Sequence, residues 1–144
     1  MLENIVKGGK VIMDRAHERL DHFEKAVDSL EEAVDEMADD RLSIVRDAVI
    51  HRFEFSQHLM WKCTRDYLIN EGYDNIDSPK AVMKCAFSAG LIDSNPSWIG
   101  MVNARNITSH VYDEAVAIEV AARIRDEYLP MLKRLCTILK ERMW

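Results

Sequence analysis

The chain has 144 residues, of which 48% are hydrophobic and 31% are charged, so it fits one globular domain with a buried core and not a disordered polypeptide. Its net charge of −6 disfavours broad, sequence-independent binding of nucleic acid, which needs clustered cations, although a small local RNA site is still compatible with it. Glycine (5) and proline (3) are scarce, so we expect few, long elements and not the many turns of a sheet protein.

The first predicted element is a long amphipathic helix from about Asp14 to Met37. Residues 1–12, with Gly8 and Gly9, are predicted to form a loose lead-in. In the helix, apolar residues recur in steps of three and four with acidic residues between them, which is typical of a heptad seam. The seam consists of Leu20, Phe23, Val27, Leu30, Val34 and Met37.

A second helix is predicted from about Leu42 to Asn70, with Gly72 at the expected stop signal. His51 and His58 are seven residues apart, so they share one face of this helix with Phe55 between them. We interpret this face as partly buried packing, and an interface stripe is the alternative.

Two short helices follow, each introduced by a polar residue and a proline. In "SPKAV", Ser78 is the expected N-cap and Pro79 the first helical residue. In "NPSW", Asn95 and Pro96 are expected to take the same two roles. The second of these helices is predicted to run toward Thr108.

The last predicted helix begins at Asp113, as N-cap, and continues to the C-terminus. Pro130 lies inside it and should kink or split it, because proline lacks a backbone donor and crowds the preceding turn. No alternating strand pattern of useful length occurs. The predicted fold is all-α, an antiparallel up-and-down bundle of four to five helices forming a single domain over residues 1–144.

Composition also bears on the cellular compartment. No apolar run approaches membrane-spanning length, and the N-terminal residues are too few and too polar for a signal peptide. Three widely spaced cysteines, Cys63, Cys85 and Cys136, fit reduced and mostly buried thiols. These features predict a cytoplasmic protein that does not enter a membrane.

The segment "RNITSHVY", residues 105–112, concentrates more chemistry than a helix connection needs. If it were helical, Arg105, Ser109 and Tyr112 would share one face, and Asn106 and His110 the neighbouring one. From spacing alone, a polar helix end is the favoured interpretation. The sequence contains no glycine-rich phosphate loop and no zinc-protease motif, so no cofactor and no metal site are predicted.

The order of four segments along the chain favours a functional site over a polar helix end. They are "HRFEFSQHLMWKCTRDYL" (51–68), "SPKAVMKCAFSAGLI" (78–92), "SWIGMVNARN" (97–106) and "SHVYDEAVA" (109–117). In this order the chain resembles the HEPN superfamily, and most closely its group of nucleotidyltransferase substrate-binding proteins, which are similar to HepT-type toxins. The superfamily motif R-x4-6-H-x-Y is matched by Arg105, His110 and Tyr112, with Asn106 directly after the arginine. The resemblance covers about residues 14–142.

The resemblance implies a helical bundle that forms a homodimer with the two motif segments facing one another. It implies a metal-independent endoribonuclease acting on RNA through Arg105, Asn106 and His110. It also implies a small nucleotidyltransferase, encoded nearby, which acts as the antitoxin by transferring AMP to Tyr112. Older descriptions of the group instead treat the helical chain as a non-catalytic substrate-binding subunit of a two-chain nucleotidyltransferase, and the sequence leaves both functions open.

The motif residues suit RNA cleavage without a metal. His110 titrates near neutral pH and can accept or give a proton, while Arg105 stays cationic and can bind phosphate oxygens in a bidentate manner. Asn106 can orient His110 or donate a hydrogen bond to the phosphate. The heptad seam, the His51/His58 face and the polar motif together give more surface than one small bundle needs to hide, which also predicts a homodimer.

Overall fold

The protein is a bundle of α-helices, in agreement with the all-α prediction. The structure, a computed structural model, describes residues 2–37, 43–103 and 113–143, with side chains from residue 15 onward. In chain order the helices are α1 (Leu2–Glu36), α2 (Ser43–Asn70), α3 (Pro79–Ser88), α4 (Ser97–Asn103), α5 (Glu114–Arg123) and α6 (Leu129–Met143). A π-helical turn, Ile124–Tyr128, joins the last two without a break. If α5, this turn and α6 are counted as one rod, the described ranges contain five helices, as predicted.

Helix α1 begins at Leu2, well before the predicted start at Asp14, so the prediction of a loose lead-in over residues 1–12 was wrong. Gly8 and Gly9 motivated that prediction. A glycine inside a helix costs only about 1 kcal/mol relative to alanine, which weakens a helix without ending it. The other end of α1 lies at Glu36, close to the predicted Met37.

The stop signal after α2 and the start signal of α3 were predicted well. Gly72 adopts φ 102°, in the left-handed region that glycine tolerates, and the Tyr73 amide donates to the Leu68 carbonyl at 3.0 Å. Ser78 caps α3 by accepting a hydrogen bond from the Ala81 amide at 3.2 Å. The helix bounds are therefore determined by local backbone chemistry that the sequence displays.

A kink or split was predicted at Pro130, and the helix there changes its hydrogen-bond pattern without a break, in a form that was not foreseen. The five residues Ile124–Tyr128 form a π-helical turn, in which the Leu129 amide donates to the Ile124 carbonyl. Proline has no backbone N–H, so Pro130 cannot donate to a carbonyl of the preceding turn. The π-helical turn contains one more residue per hydrogen-bonded loop than an α-helical turn, and it accommodates the lost hydrogen bond. The rod then continues as α6.

Helix α1 runs antiparallel to α2. Arg19 donates two 2.8 Å hydrogen bonds to the Asp66 carboxylate near the end of α2, whereas Arg52 donates to the carbonyl of Ser29 at 2.7 Å. The residue numbers therefore rise on one helix as they fall on the other, which confirms an antiparallel pair.

Helix α6 is also antiparallel to α1. Ion pairs join Lys140 to Glu24 at 2.9 Å and Lys133 to Glu31 at 2.9 Å, so the early part of α1 meets the late part of α6. Because both helices oppose α1, α2 and α6 run in the same direction.

The predicted heptad seam of α1 forms part of the buried core. Leu20, Phe23 and Leu30 are at most 1% exposed, and buried side chains from all three described ranges join the same cluster. The seam therefore packs inside its own bundle and offers no surface to a second copy, so this part of the argument for a homodimer was wrong.

The His51/His58 face of α2 is exposed, which corrects its interpretation as partly buried packing. Phe55 between the histidines is 58% exposed. The alternative, an interface stripe, is consistent with this exposure.

The three cysteines are free thiols, as predicted. Cys63 and Cys136 are buried, and Cys85 is half-buried. Burial raises the pKa of Cys63 to about 12 and that of Cys136 to about 11, so both remain protonated and unreactive near neutral pH. Within the described part of the chain, no helix has the length and apolarity needed to cross a membrane.

Candidate functional site

The predicted site residues lie outside the part of the chain that the structure describes. Arg105, Asn106, His110 and Tyr112 all fall between residue 103, where the description of α4 ends, and residue 113, where it resumes. The structure does describe the two flanks of this segment. Both flanking helices, α4 and α5, pack against α2.

Helix α4, which leads into the motif, is held at its start by two hydrogen bonds. The Asn95 side chain accepts from the Ser97 amide at 3.0 Å, and the Trp98 indole donates to the Asp93 carboxylate at 3.0 Å. Trp98 is only 4% exposed, and Met101 is fully buried. Helix α4, whose description ends at Asn103, is therefore anchored in the core.

A second set of contacts ties α4 to the π-helical turn. Ser97 donates through Oγ to the carboxylate of Glu127. The Tyr128 ring stacks on Phe53 of α2 with centroids 5.2 Å apart and planes 14° from parallel. Its hydroxyl lies 4.0 Å from the position that a Cβ on Gly100 would occupy. π-Helical turns occur often at functional sites, and this one supports the helix that precedes the motif.

The other flank begins with the predicted cap. The Asp113 carboxylate accepts a hydrogen bond from the Val116 amide at 3.3 Å, as an N-cap should. Arg46 of α2, which is 4% exposed, donates to the Glu114 carboxylate at 3.4 Å. Glu114 itself is 79% exposed. The start of α5 is thus fixed to α2 two residues after Tyr112.

Arg46 is a residue near the site that was not predicted from the sequence. It lies on the same face of α2 as Val49, Ile50 and Phe53, all of which are buried. An arginine at a helix position whose neighbours three and four residues away are apolar indicates a buried cation, and buried cations need polar partners. That periodicity is visible in the sequence and could have identified Arg46.

The described flanks offer no metal site. Among the residues with described side chains, no three histidine, cysteine, aspartate or glutamate residues are arranged to hold an ion. The flanks contribute an anchored helix, an aromatic stack and an arginine–glutamate pair. Such groups can position a segment and neutralise charge.

Comparison with known proteins identifies the family. A family model described as nucleotidyltransferase substrate binding protein like matches residues 18–141. The probable ribonuclease HepT of Haemophilus influenzae is 32% identical over 120 residues, which cover 74% of this chain and 82% of that protein.

Two solved structures have the same architecture. A crystal structure of a protein from Thermus thermophilus superposes with a TM-score of 0.67 at 33% identity, covering 84% of this chain and 98% of that one. A Haemophilus influenzae structure, described as revealing the fold of a substrate-binding domain of a nucleotidyltransferase, gives a TM-score of 0.74 at 28% identity with the same coverage. The chain therefore belongs to the nucleotidyltransferase substrate-binding protein-like family, whose members resemble HepT and other HEPN proteins.

Proposed function

We propose that the chain is the toxin of a two-component toxin–antitoxin pair, a metal-independent endoribonuclease that a small nucleotidyltransferase silences by AMP transfer. The observation that carries this proposal is the complete R-x4-H-x-Y motif, Arg105 to Tyr112. It occurs in a chain that is 32% identical to a protein named probable ribonuclease HepT.

The proposed reaction uses the ribose 2′-hydroxyl as nucleophile. A base takes its proton, the 2′-oxygen attacks the adjacent phosphorus, and the bond to the 5′-oxygen of the next nucleotide breaks. An acid protonates that leaving oxygen, which gives a 2′,3′-cyclic phosphate and a free 5′-hydroxyl. His110 is the proton carrier, Arg105 binds the phosphate oxygens as charge develops, and Asn106 orients the imidazole or the phosphate.

One histidine does not easily act as base and acid in the same step. In a symmetric dimer a second Arg105 and a second His110 would stand across the two-fold axis and supply the missing role. A cleft lined by two arginines and two histidines would be locally basic on a chain of net charge −6. The homodimer is thus part of the proposed chemistry.

The described flanks support this assignment. Helix α4 and the start of α5 are both anchored to α2, through buried Trp98 on one side and the Arg46–Glu114 pair on the other. Catalytic groups work best on a segment whose ends are held rigidly, because a small displacement of reacting atoms costs a large factor in rate.

A second candidate function is that of a non-catalytic subunit presenting a substrate to a nucleotidyltransferase. The descriptions of the matching family and of the Haemophilus influenzae structure favour it. In both functions the partner is a nucleotidyltransferase, and the two differ in which chain carries out the main chemistry.

The experiment that tests the proposal is RNA cleavage by the purified chain, alone and together with the nucleotidyltransferase encoded beside it, with and without ATP. We expect cleavage by the chain alone, and its loss only when the partner and ATP are both present. Absence of cleavage under every condition, with a stable complex between the two chains, would favour the substrate-binding function.

Replacing Tyr112 with phenylalanine should prevent the silencing. The change removes the hydroxyl that accepts AMP and almost no volume, so the variant should cleave RNA like the wild type. A bulky, negatively charged AMP beside His110 would block and repel RNA, and the variant cannot acquire it. Mass spectrometry should detect added AMP on the wild type and none on Tyr112→Phe. Equal modification of both proteins would contradict the assignment of Tyr112.

We expect a homodimer in solution with the two motif segments near its axis. Light scattering at micromolar concentration should give twice the mass of 16.7 kDa. Because the α1 seam is buried within the bundle, the contact must use other surfaces. A monomer, or a dimer in which cysteines introduced in the two copies of the motif cannot be cross-linked, would contradict the expectation.

A further inference from the structure

An exposed stripe on α2 has the periodicity of a helix-packing seam. Its residues, Ile44, Ala48, His51, Phe55 and His58, follow one another in alternating steps of four and three. Ile44 is 78% exposed and Phe55 is 58% exposed. This spacing is the one that lets a helix receive a second helix lying along it. Within the described ranges, no other helix covers the stripe.

A preformed groove lies beside the stripe, between α2 and α1. It has a volume of about 540 Å³, and the apolar residues among those that line it are Ala26 of α1 and Phe55 of α2. Arg52 donates across the groove lining to the carbonyl of Ser29 at 2.7 Å, and both residues line the groove. The α1 wall extends from His22 to Ser29, which is roughly 10 Å or two helical turns. These dimensions suit two turns of an amphipathic helix with apolar anchors.

The two formally charged side chains that line the groove, Lys25 and Arg52, are both cationic. His22, Lys25, His51 and Arg52 line it, and no carboxylate is among its lining residues. Asp21 pairs with Lys25 at 3.0 Å, but both side chains remain more than half exposed. On a chain of net charge −6, this is a local reversal of charge. An occupant with apolar anchors and acidic flanks would be complementary to it.

The same charges argue against a second copy of this chain as the occupant. In a two-fold symmetric contact the same patch of both copies meets, so the lining of one groove would face the lining of the other. Lys25 and Arg52 of one copy would then face a lining that also has cations and no carboxylate, and juxtaposed like charges are unfavourable. The groove is therefore better suited to a different protein than to self-association.

We propose that the α1–α2 groove is a docking site for an acidic amphipathic helix of a partner protein, with Phe55 as its central aromatic contact. The partner helix lies along the stripe of α2, places two or three apolar side chains against Ala26 and Phe55, and directs carboxylates to Lys25 and Arg52. This role is independent of RNA cleavage and is unaffected if no cleavage is found.

The test uses two designed peptides on the whole chain. Both are helix-stapled peptides of about three heptads with leucine at the a and d positions. One carries glutamate at the flanking e and g positions, and the other carries lysine there. Fluorescence anisotropy of the labelled peptides should show binding of the glutamate peptide and at least about tenfold weaker binding of the lysine peptide, since like charges are then brought together.

Two variants locate the contact. Phe55→Ala should weaken binding of the glutamate peptide by about tenfold or more, as truncation of an aromatic anchor does. Phe87→Ala is the matched control, because Phe87 of α3 is similarly exposed at 53% and does not line the groove. Lys25→Glu should remove most of the preference for the glutamate peptide, because its carboxylate would offset the charge of Arg52, whereas Lys80→Glu on α3 should leave the preference unchanged.

Other results would overturn the proposal. Failure of the glutamate peptide to bind the wild type, or equal losses in Phe55→Ala and Phe87→Ala, would exclude the groove as this docking site. A fall in the mass of the chain by light scattering on Phe55→Ala would assign the face to self-association. Binding of labelled oligouridylate that disappears in Phe55→Ala, with no effect on peptide binding, would assign it to single-stranded RNA.

Discussion

Replacing His110 with alanine should reduce the rate of RNA cleavage by about 10²–10⁴-fold, the usual contribution of a general acid–base group. The loss should appear mainly in kcat, because the imidazole moves a proton in the transition state and contributes little to ground-state binding. Arg105→Ala should cause a loss of similar size by removing the cation that stabilises the crowded phosphate. Circular dichroism and light scattering should show unchanged helicity and dimerisation in both variants.

A matched control separates the motif from general effects of histidine removal. His58→Ala removes an exposed histidine of α2, and we expect its cleavage rate to stay near that of the wild type. If the wild type, His110→Ala and Arg105→Ala cleave equally, the activity belongs to a contaminating nuclease. The non-catalytic substrate-binding function would then be preferred.

Replacing Phe53 with alanine should cause a larger loss in the free energy of unfolding than any of the other substitutions proposed for this protein. Phe53 is 1% exposed and stacks on Tyr128 at 5.2 Å, so its removal leaves a cavity where α2 meets the π-helical turn. Truncation of a buried phenylalanine costs about 3–5 kcal/mol, a large part of the roughly 5–15 kcal/mol that stabilises a typical domain. Urea denaturation followed by circular dichroism should show the midpoint shifted to much lower urea.

The neighbouring Phe55 supplies the control for this stability prediction. It lies two residues away on the same helix but is 58% exposed, so Phe55→Ala should change the free energy of unfolding by no more than about 0.5 kcal/mol. Because Phe53→Ala could fail to fold, Phe53→Leu gives a milder truncation at the same position. Similar urea midpoints for the Phe53 and Phe55 variants would contradict the placement of Phe53 in the core.

The helix bounds that could be predicted depend on short-range chemistry. Two helix starts depend on a capping side chain, that of Ser78 and that of Asp113, and one helix end depends on the left-handed backbone of Gly72. Each of these residue types is known to favour that role, so each could be recognised in the sequence. The start of α1 at Leu2 and the π-helical form of the interruption before Pro130 were not predicted. Gly8 and Gly9 weaken a helix without ending it, and Pro130 removes a hydrogen bond without specifying how the backbone adapts.

Periodicity alone could not show what covers each helix face. The seam of α1 and the stripe of α2 have the same alternating spacing of three and four residues. Leu20 and Leu30 of the seam are buried inside the bundle, whereas Ile44 and Phe55 of the stripe are exposed. Which face is covered depends on how the helices are arranged around one another, and that information lies in contacts between residues far apart in the chain.

The candidate site rests on the chemistry of residues that lie outside the described ranges, so it stays a prediction from the sequence. Arg105, Asn106, His110 and Tyr112 stand in one short segment, and their side chains match the needs of phosphate chemistry. Arg46 lies almost sixty residues earlier and reaches the C-terminal flank of the segment only through the packing of α5 on α2. Long-range neighbours of this kind appear only once the fold is known.

The central claim is that this chain cleaves RNA without a metal, with the ribose 2′-hydroxyl of the RNA as the nucleophile. The most direct measurement compares an RNA oligonucleotide with a twin that carries 2′-deoxyribose at the cleaved position, both incubated with the purified wild type in excess EDTA. We predict cleavage of the RNA to a 2′,3′-cyclic phosphate and a 5′-hydroxyl, and no cleavage of the twin at that position. Loss of cleavage in EDTA, or equal cleavage of the two oligonucleotides, would contradict the claim.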